Sequence, residues 1–147
     1  MKRRGLQLSR RHRWTLYTFS VVLLVSGAIW AWAHYQDESG TADPLLRGIA
    51  PWLLKVHGLA AMGFVLLLGT LIPVHIRHSW HANKNRVNGV FFLTAVGLLT
   101  VSGYLLYYLG DETVRGYMSR VHLWLGLAAP LLLGWHIFLG RRATAWK

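Results

Sequence analysis

The sequence contains four long apolar runs, and each is long enough to cross a lipid bilayer as an α-helix. The runs cover about residues 14–35, 52–76, 87–109 and 117–139. A helix needs about 20 mostly apolar residues to cross roughly 30 Å of hydrocarbon. Tryptophan and tyrosine residues lie near the ends of the runs, as is common at membrane interfaces. We therefore expect an all-α fold, a four-helix transmembrane bundle with up-down topology.

The composition favours a membrane protein over a soluble one. Of the 147 residues, 54% are hydrophobic and only 14% are charged, and the charges lie in short stretches between the apolar runs. The net charge of +11 does not indicate a nucleic-acid partner, because the basic residues flank membrane-length segments. Basic residues are enriched in the cytoplasmic loops of membrane proteins. The expected partner along most of the surface is the lipid bilayer.

The distribution of charge predicts the orientation of the bundle. Basic residues cluster in the N-terminal tail, the loop after the second run and the C-terminal tail. With four crossings these three stretches share one side, and the other side holds all five acidic residues, Asp37, Glu38, Asp43, Asp111 and Glu112. The positive-inside rule then predicts cytoplasmic N- and C-termini in a bacterial inner membrane.

The chain is expected to form a single membrane domain over residues 1–147, without internal repeats. The longest predicted break between helices covers residues 36–50. The basic start, the apolar run and residues 31–33 also have some features of a cleaved signal peptide. We favour a retained helix, because the apolar run of about 20 residues exceeds the usual signal core of about 7–15.

Four of the eight histidines lie inside the apolar runs, where an ionisable side chain is costly and by default functional. His57 and His75 are 18 residues apart in the second run, and His122 and His136 are 14 apart in the fourth. These spacings are about 5 and about 3.9 helical turns, so each pair leaves nearly one face of its helix. The topology then pairs His57 with His122 near the outer face, and His75 with His136 near the inner face.

Two imidazoles from facing helices suit the axial positions of a haem iron and leave no open position for oxygen chemistry. The chain has no cysteine, which excludes thioether-attached haem and cysteine-ligated iron–sulfur clusters. We therefore predict one or two b haems that transfer electrons. The two inner histidines differ in depth by about 6 Å, which helix tilt or a kink at Pro73 would absorb. His78 or His12 remains an alternative inner ligand.

The histidine spacing in the fourth run, the four-helix core and the basic ends resemble the respiratory di-haem cytochromes b. This group includes the cytochrome b subunits of formate dehydrogenases and nickel–iron hydrogenases, and cytochrome b561-type proteins. The resemblance covers about the second to fourth runs. It implies that His57 and His122 ligate an outer haem and His136 an inner one, whereas His75 departs from the pattern. It also implies electron transfer between a redox partner subunit and the quinone pool, with a quinone as a further ligand.

Two other functions compete with the cytochrome. A metal or proton carrier would use the histidines as ligands or relays, but such sites usually add intramembrane carboxylates, and none of the four runs has one in its interior. A cofactor-free structural or assembly subunit explains the fold but leaves the paired histidines unexplained. Arg77, Arg115 and Arg120 are candidates for contacts with haem propionates or with the membrane interface. The sequence favours a subunit of an oxidoreductase over a stand-alone enzyme, and leaves a homo- or hetero-oligomer open.

Overall fold

The computed structural model describes residues 9–81 and 86–145. Within these ranges the ordered elements are all helical, which confirms the all-α prediction. They are α1 (Arg10–Glu38), α2 (Pro44–Leu71), a π-helical segment (Ile72–Ile76), α3 (Arg77–His81), α4 (Arg86–Tyr108) and α5 (Glu112–Ala145). Helices α1, α2 and α4, together with Glu112–Arg142 of α5, are long and apolar enough to cross a membrane.

The first predicted break is wrong, because most of residues 36–50 is helical. Helix α1 continues to Glu38. Two residues later, Gly40 adopts a positive φ of 71°. Helix α2 already starts at Pro44, since the Asp43 side chain accepts the backbone N–H of Leu45 at 2.7 Å. Proline fits the first turn of a helix, where its missing N–H has no intrahelical partner to lose. The connection between α1 and α2 is therefore residues 39–43.

The long helices pack as two antiparallel hairpins. Helix α1 packs along α2, α4 packs along α5, and α1 also contacts α5. In the second hairpin Ser102 meets His122 and Asn88 meets His136. From the first contact to the second, the residue on α5 lies 14 positions later in the chain and the residue on α4 lies 14 positions earlier. This register requires the two helices to run in opposite directions.

Small side chains fill the contacts between helices, while large apolar side chains face outwards. The buried residues in the described ranges are Ser26, Ala33, Ala60, Leu71, Ala95 and Ser102. By contrast, Val87 is 86% exposed and Leu131 is 77% exposed. Small residues let membrane helices approach closely, and lipid replaces water as the solvent of the outer faces. The exposed apolar surface therefore indicates contact with lipid.

A wide π-helical turn interrupts the inner part of the second predicted helix. Proline has no backbone N–H, and its ring crowds the preceding turn of an α-helix. After Pro73, the N–H of Arg77 bonds to the carbonyl of Ile72, five residues back. The sequence predicted a kink at Pro73 within one helix over residues 52–76. The structure instead ends the α-helical part at Leu71 and changes the helix type.

Arg86 links the start of α4 to α3. Its Nε and Nη2 donate to the carbonyl of Trp80 at 2.9 and 2.6 Å. The guanidinium also lies 5.0 Å from the centre of the Trp80 ring. The start of α4 is thereby attached to the short helix that precedes it.

Candidate functional site

The two histidines predicted for the outer pair lie together. His57 comes from α2 and His122 from α5, and both are half-buried. Their ring centres are 6.1 Å apart, and their planes meet at 72°. The two rings are close in space although they are 65 residues apart in the chain and come from different hairpins. Residues predicted separately from two helix faces thus form one constellation.

Each of these rings is bonded to a buried serine on the other helix of its own hairpin. Ser26 of α1 is 3% exposed, and its Oγ lies 3.1 Å from Nδ1 of His57. Ser102 of α4 is 4% exposed, and its Oγ lies 2.9 Å from Nδ1 of His122. The Nδ1 edge of each imidazole therefore faces the protein, and Nε2 is the other ring nitrogen that a ligand can use.

The serine hydroxyls favour a proton on Nδ1 of each ring. A hydroxyl has one hydrogen to donate. Ser26 donates it to the carbonyl of Val22 at 2.6 Å, and Ser102 donates to the carbonyl of Leu99 at 3.2 Å. With its hydrogen on that carbonyl, each Oγ accepts a hydrogen bond from Nδ1–H in the tautomer that carries the ring proton on Nδ1. A neutral imidazole with its proton on Nδ1 has a free lone pair on Nε2, which is the form that binds a metal.

A glycine beside each serine makes room for the ring. A Cβ at Gly27 would lie 3.0 Å from Cε1 of His57, and a Cβ at Gly103 would lie 3.1 Å from Cε1 of His122. Both distances are shorter than an ordinary carbon–carbon contact of about 3.5–4.0 Å. Glycine therefore allows each imidazole to lie close against the neighbouring helix.

The spacing of the two rings fits an iron placed between them. Imidazole nitrogens bind metals at about 2 Å and ring centres lie about 1 Å further out, so two axial rings are about 6 Å apart. The observed separation is 6.1 Å. The described residues contain no group of three or more His, Cys, Asp or Glu that could hold a metal ion. Two imidazoles alone suit a metal that brings its own equatorial ligands, as haem iron does.

Of the predicted inner pair, the structure describes the side chain of His136 but not that of His75. His136 of α5 lies against α4, where its Nδ1 is 3.2 Å from Nδ2 of Asn88. Its ring also stacks on Phe92, with ring centres 5.1 Å apart and planes at 20°. The side chains of His75 and His78 lie outside the described part of the chain. The pairing of His75 with His136 thus stays a prediction.

The other described histidines lie apart from the outer pair. His12 bonds locally to Ser9 at the start of α1, with Nδ1 2.9 Å from Oγ. His34 stacks on Trp30 at 4.9 Å and lies 3.5 Å from Glu38, with half of its side chain exposed. These contacts are within single helices, as expected of residues near a membrane interface.

The cations next to the outer pair contact aromatic rings. Lys55 lies 4.3 Å from the ring centre of Trp52, and Arg120 lies 4.7 Å from that of Tyr117. Each cation is exposed and precedes its histidine by two residues, which places it on nearly the opposite side of the helix. These contacts favour an interfacial anchor over a contact with haem propionates. Arg77 and Arg115 are also exposed.

No protein-family model, curated protein or solved structure matches this chain. The resemblance to di-haem cytochromes b therefore stays a prediction.

Sequence reasoning missed both serines and an internal repeat that identifies them. The tripeptide VSG occurs at 25–27 and 101–103, and K/R-V-H ends the segments 52–57 (WLLKVH) and 117–122 (YMSRVH). The tetrapeptide LLLG then begins nine residues after each of the two histidines. The expectation that the chain lacks repeats is therefore wrong. Each hairpin carries one copy, because its serine and its histidine lie on opposite helices.

Proposed function

We propose that this protein is a membrane b-type cytochrome that holds a haem between His57 and His122. The observation that carries the proposal is the pair of neighbouring imidazoles, with ring centres 6.1 Å apart and each Nδ1 within hydrogen-bond distance of a buried serine. His57 and His122 would hold the iron of one haem through their Nε2 atoms. A haem with two imidazole ligands supplies reversible one-electron transfer, with no open position for substrate.

The residues around the site would hold the iron ligands rather than perform chemistry on a substrate. Ser26 and Ser102 orient the imidazoles, and Gly27 and Gly103 give them room. By charge distribution, this pair lies towards the outer face and both termini lie in the cytoplasm. We further propose a bacterial inner-membrane location and electron exchange between a partner subunit and the quinone pool.

A second haem near the inner face would use His136 and His75. Asn88 and Phe92 hold the ring of His136 in place from α4. The interval between the outer and inner histidines on α5 is 14 residues, or about 21 Å of helix rise. Two haems at this separation would carry an electron across most of the membrane.

The test is the reduced-minus-oxidised visible spectrum of the purified full-length chain, with a pyridine haemochrome count of haem per chain. We expect a b-type spectrum with one or two haems per chain. The variants His57→Ala and His122→Ala should each lose one haem. The matched control is His34→Ala, which removes an exposed histidine near the same end of the bundle and should keep the wild-type count.

Failure of the wild-type protein to bind haem, when expressed with adequate haem supply, would refute the proposal. So would a haem count that is unchanged in both His57→Ala and His122→Ala. Absence of haem would favour a cofactor-free structural or assembly subunit, whereas an unchanged count in both variants would assign the haem to other residues.

A further inference from the structure

We infer that Ser26 and Ser102 are positioning residues that set the redox potential and the relative orientation of the two iron ligands. The inference rests on the proposed haem between His57 and His122 and concerns how the protein tunes that site. We name each Ser–Gly pair a histidine seat: Ser26 and Gly27 for His57, and Ser102 and Gly103 for His122.

Each seat is built from the same two elements. The serine is almost completely buried and its Oγ lies within hydrogen-bond distance of Nδ1, while the adjacent glycine lies beside Cε1 of the same ring. Because the seat residues are neighbours on one helix, the hydrogen bond and the close contact together fix the ring plane. The repetition of the seat in both hairpins shows that it is a consistent feature of this fold.

The hydrogen bond from Nδ1–H makes the imidazole a stronger electron donor through Nε2. Partners of this kind fix the tautomer and raise the basicity of a metal ligand. Each serine also donates its own hydrogen to a backbone carbonyl, which polarises its oxygen and strengthens it as an acceptor. A more basic ligand stabilises ferric over ferrous iron. The two seats together therefore lower the potential of the haem.

The seats also hold the two imidazole planes far from parallel, at 72°. In a low-spin ferric haem, nearly perpendicular axial imidazoles bring the iron orbitals close in energy. The result is a strongly anisotropic electron paramagnetic resonance signal with a high largest g value. Parallel planes would give an ordinary rhombic signal. We expect the wild-type protein to give the anisotropic signal at this haem.

The first test compares Ser26→Ala and Ser102→Ala with Ser20→Ala. Ser20 lies on α1 and also donates to a backbone carbonyl, that of Leu16 at 2.8 Å, so it is a matched control. A hydrogen bond contributes about 1 kcal/mol, and only the part that differs between the two iron states shifts the potential, so each seat variant should raise the ferrous-to-ferric ratio at fixed ambient potential by up to about five-fold. Ser20→Ala should leave the ratio at the wild-type value, and all three variants should retain haem.

The second test concerns the ring planes. Gly103→Ala places a methyl group 3.1 Å from Cε1 of His122, whereas Gly97→Ala on the same helix meets nothing within 4 Å. Gly103→Ala should shift the largest g value of the outer haem, and Gly97→Ala should leave it unchanged.

A third measurement separates this inference from the proposed function. Ring ¹⁵N NMR of the haem-free full chain at about pH 8, where histidines are mostly neutral, should show the proton of His57 and His122 on Nδ1. A proton on Nε2, or seat variants with the same potential as Ser20→Ala, would overturn the inference and leave the cytochrome intact. A wild-type protein that binds no haem would overturn both.

Discussion

Replacing Gly63 by alanine tests how closely α1 and α2 pack. An ideal Cβ at Gly63 would lie 2.7 Å from both Cε1 and Cζ of Phe19. Since carbon atoms prefer separations of about 3.5–4.0 Å, the Phe19 ring or the helix must move by about 0.8 Å or more. Gly63 is six residues along α2 from His57, so a shift of α1 there also affects the contact between Ser26 and His57.

The magnitude follows from two opposed effects. Overpacking an interface costs about 1–3 kcal/mol. Alanine gains about 1 kcal/mol over glycine inside a helix. Gly69→Ala on the same helix is the control, because its Cβ meets nothing within 4 Å and only the gain applies. We expect Gly63→Ala to be about 1–3 kcal/mol less stable than Gly69→Ala.

The assay is thermal unfolding of the detergent-solubilised full chain, followed by circular dichroism. Adding Phe19→Leu to Gly63→Ala should recover part of the loss, because the shorter side chain removes the contact with the new methyl group. In the double-mutant cycle, the coupling between the two sites should exceed about 0.5 kcal/mol. Equal stability of Gly63→Ala and Gly69→Ala, with no coupling to Phe19, would refute the close packing of α1 on α2.

Three further substitutions test other contacts. Arg86→Lys removes the paired hydrogen bonds to the Trp80 carbonyl. It should lower the free energy of unfolding by about 1 kcal/mol. An unchanged free energy of unfolding would show that the link between α3 and α4 does not depend on these hydrogen bonds. Asn88→Ala removes the amide beside His136 and should lower the free energy of unfolding by about 1 kcal/mol. The proposed outer haem should keep its spectrum. Loss of that haem would contradict the separation of the two sites. Arg47→Gln removes a 2.7 Å ion pair with the last turn of α1; because both side chains are more than half exposed, it should cost no more than about 1 kcal/mol and less at high salt. A larger loss, or one independent of salt, would contradict its exposed character.

The number and type of helices could be predicted because a bilayer imposes a simple length requirement on apolar sequence. The bounds near Pro44 and Pro73 could not be predicted in the same way. At Pro44 the carboxylate of Asp43 extends the helix beyond the apolar run, towards the polar connection. At Pro73 the α-helical hydrogen bonds give way to a wider turn, which depends on local backbone geometry. The up-down topology and the cytoplasmic termini remain predictions from charge.

The outer histidine pair could be predicted for two reasons. Placing an ionisable side chain in hydrocarbon costs free energy, and the helical spacing puts His57 and His122 on the expected faces. Ser26 and Ser102 were missed because a serine in a membrane helix usually bonds to its own backbone, as Ser20 does. Its second contact, to a ring on another helix, depends on which helices are neighbours. The repeated VSG tripeptide was the available signal, since it occurs once before each histidine.

The division of the site between the hairpins limits how such a chain can be simplified. Each hairpin positions its own imidazole completely, with a serine and a glycine from the opposite helix, but it supplies one nitrogen. For the proposed haem, a single hairpin with these motifs would be a half-site that needs a second copy for the other ligand. Joining two copies in one chain makes both ligands available at any concentration.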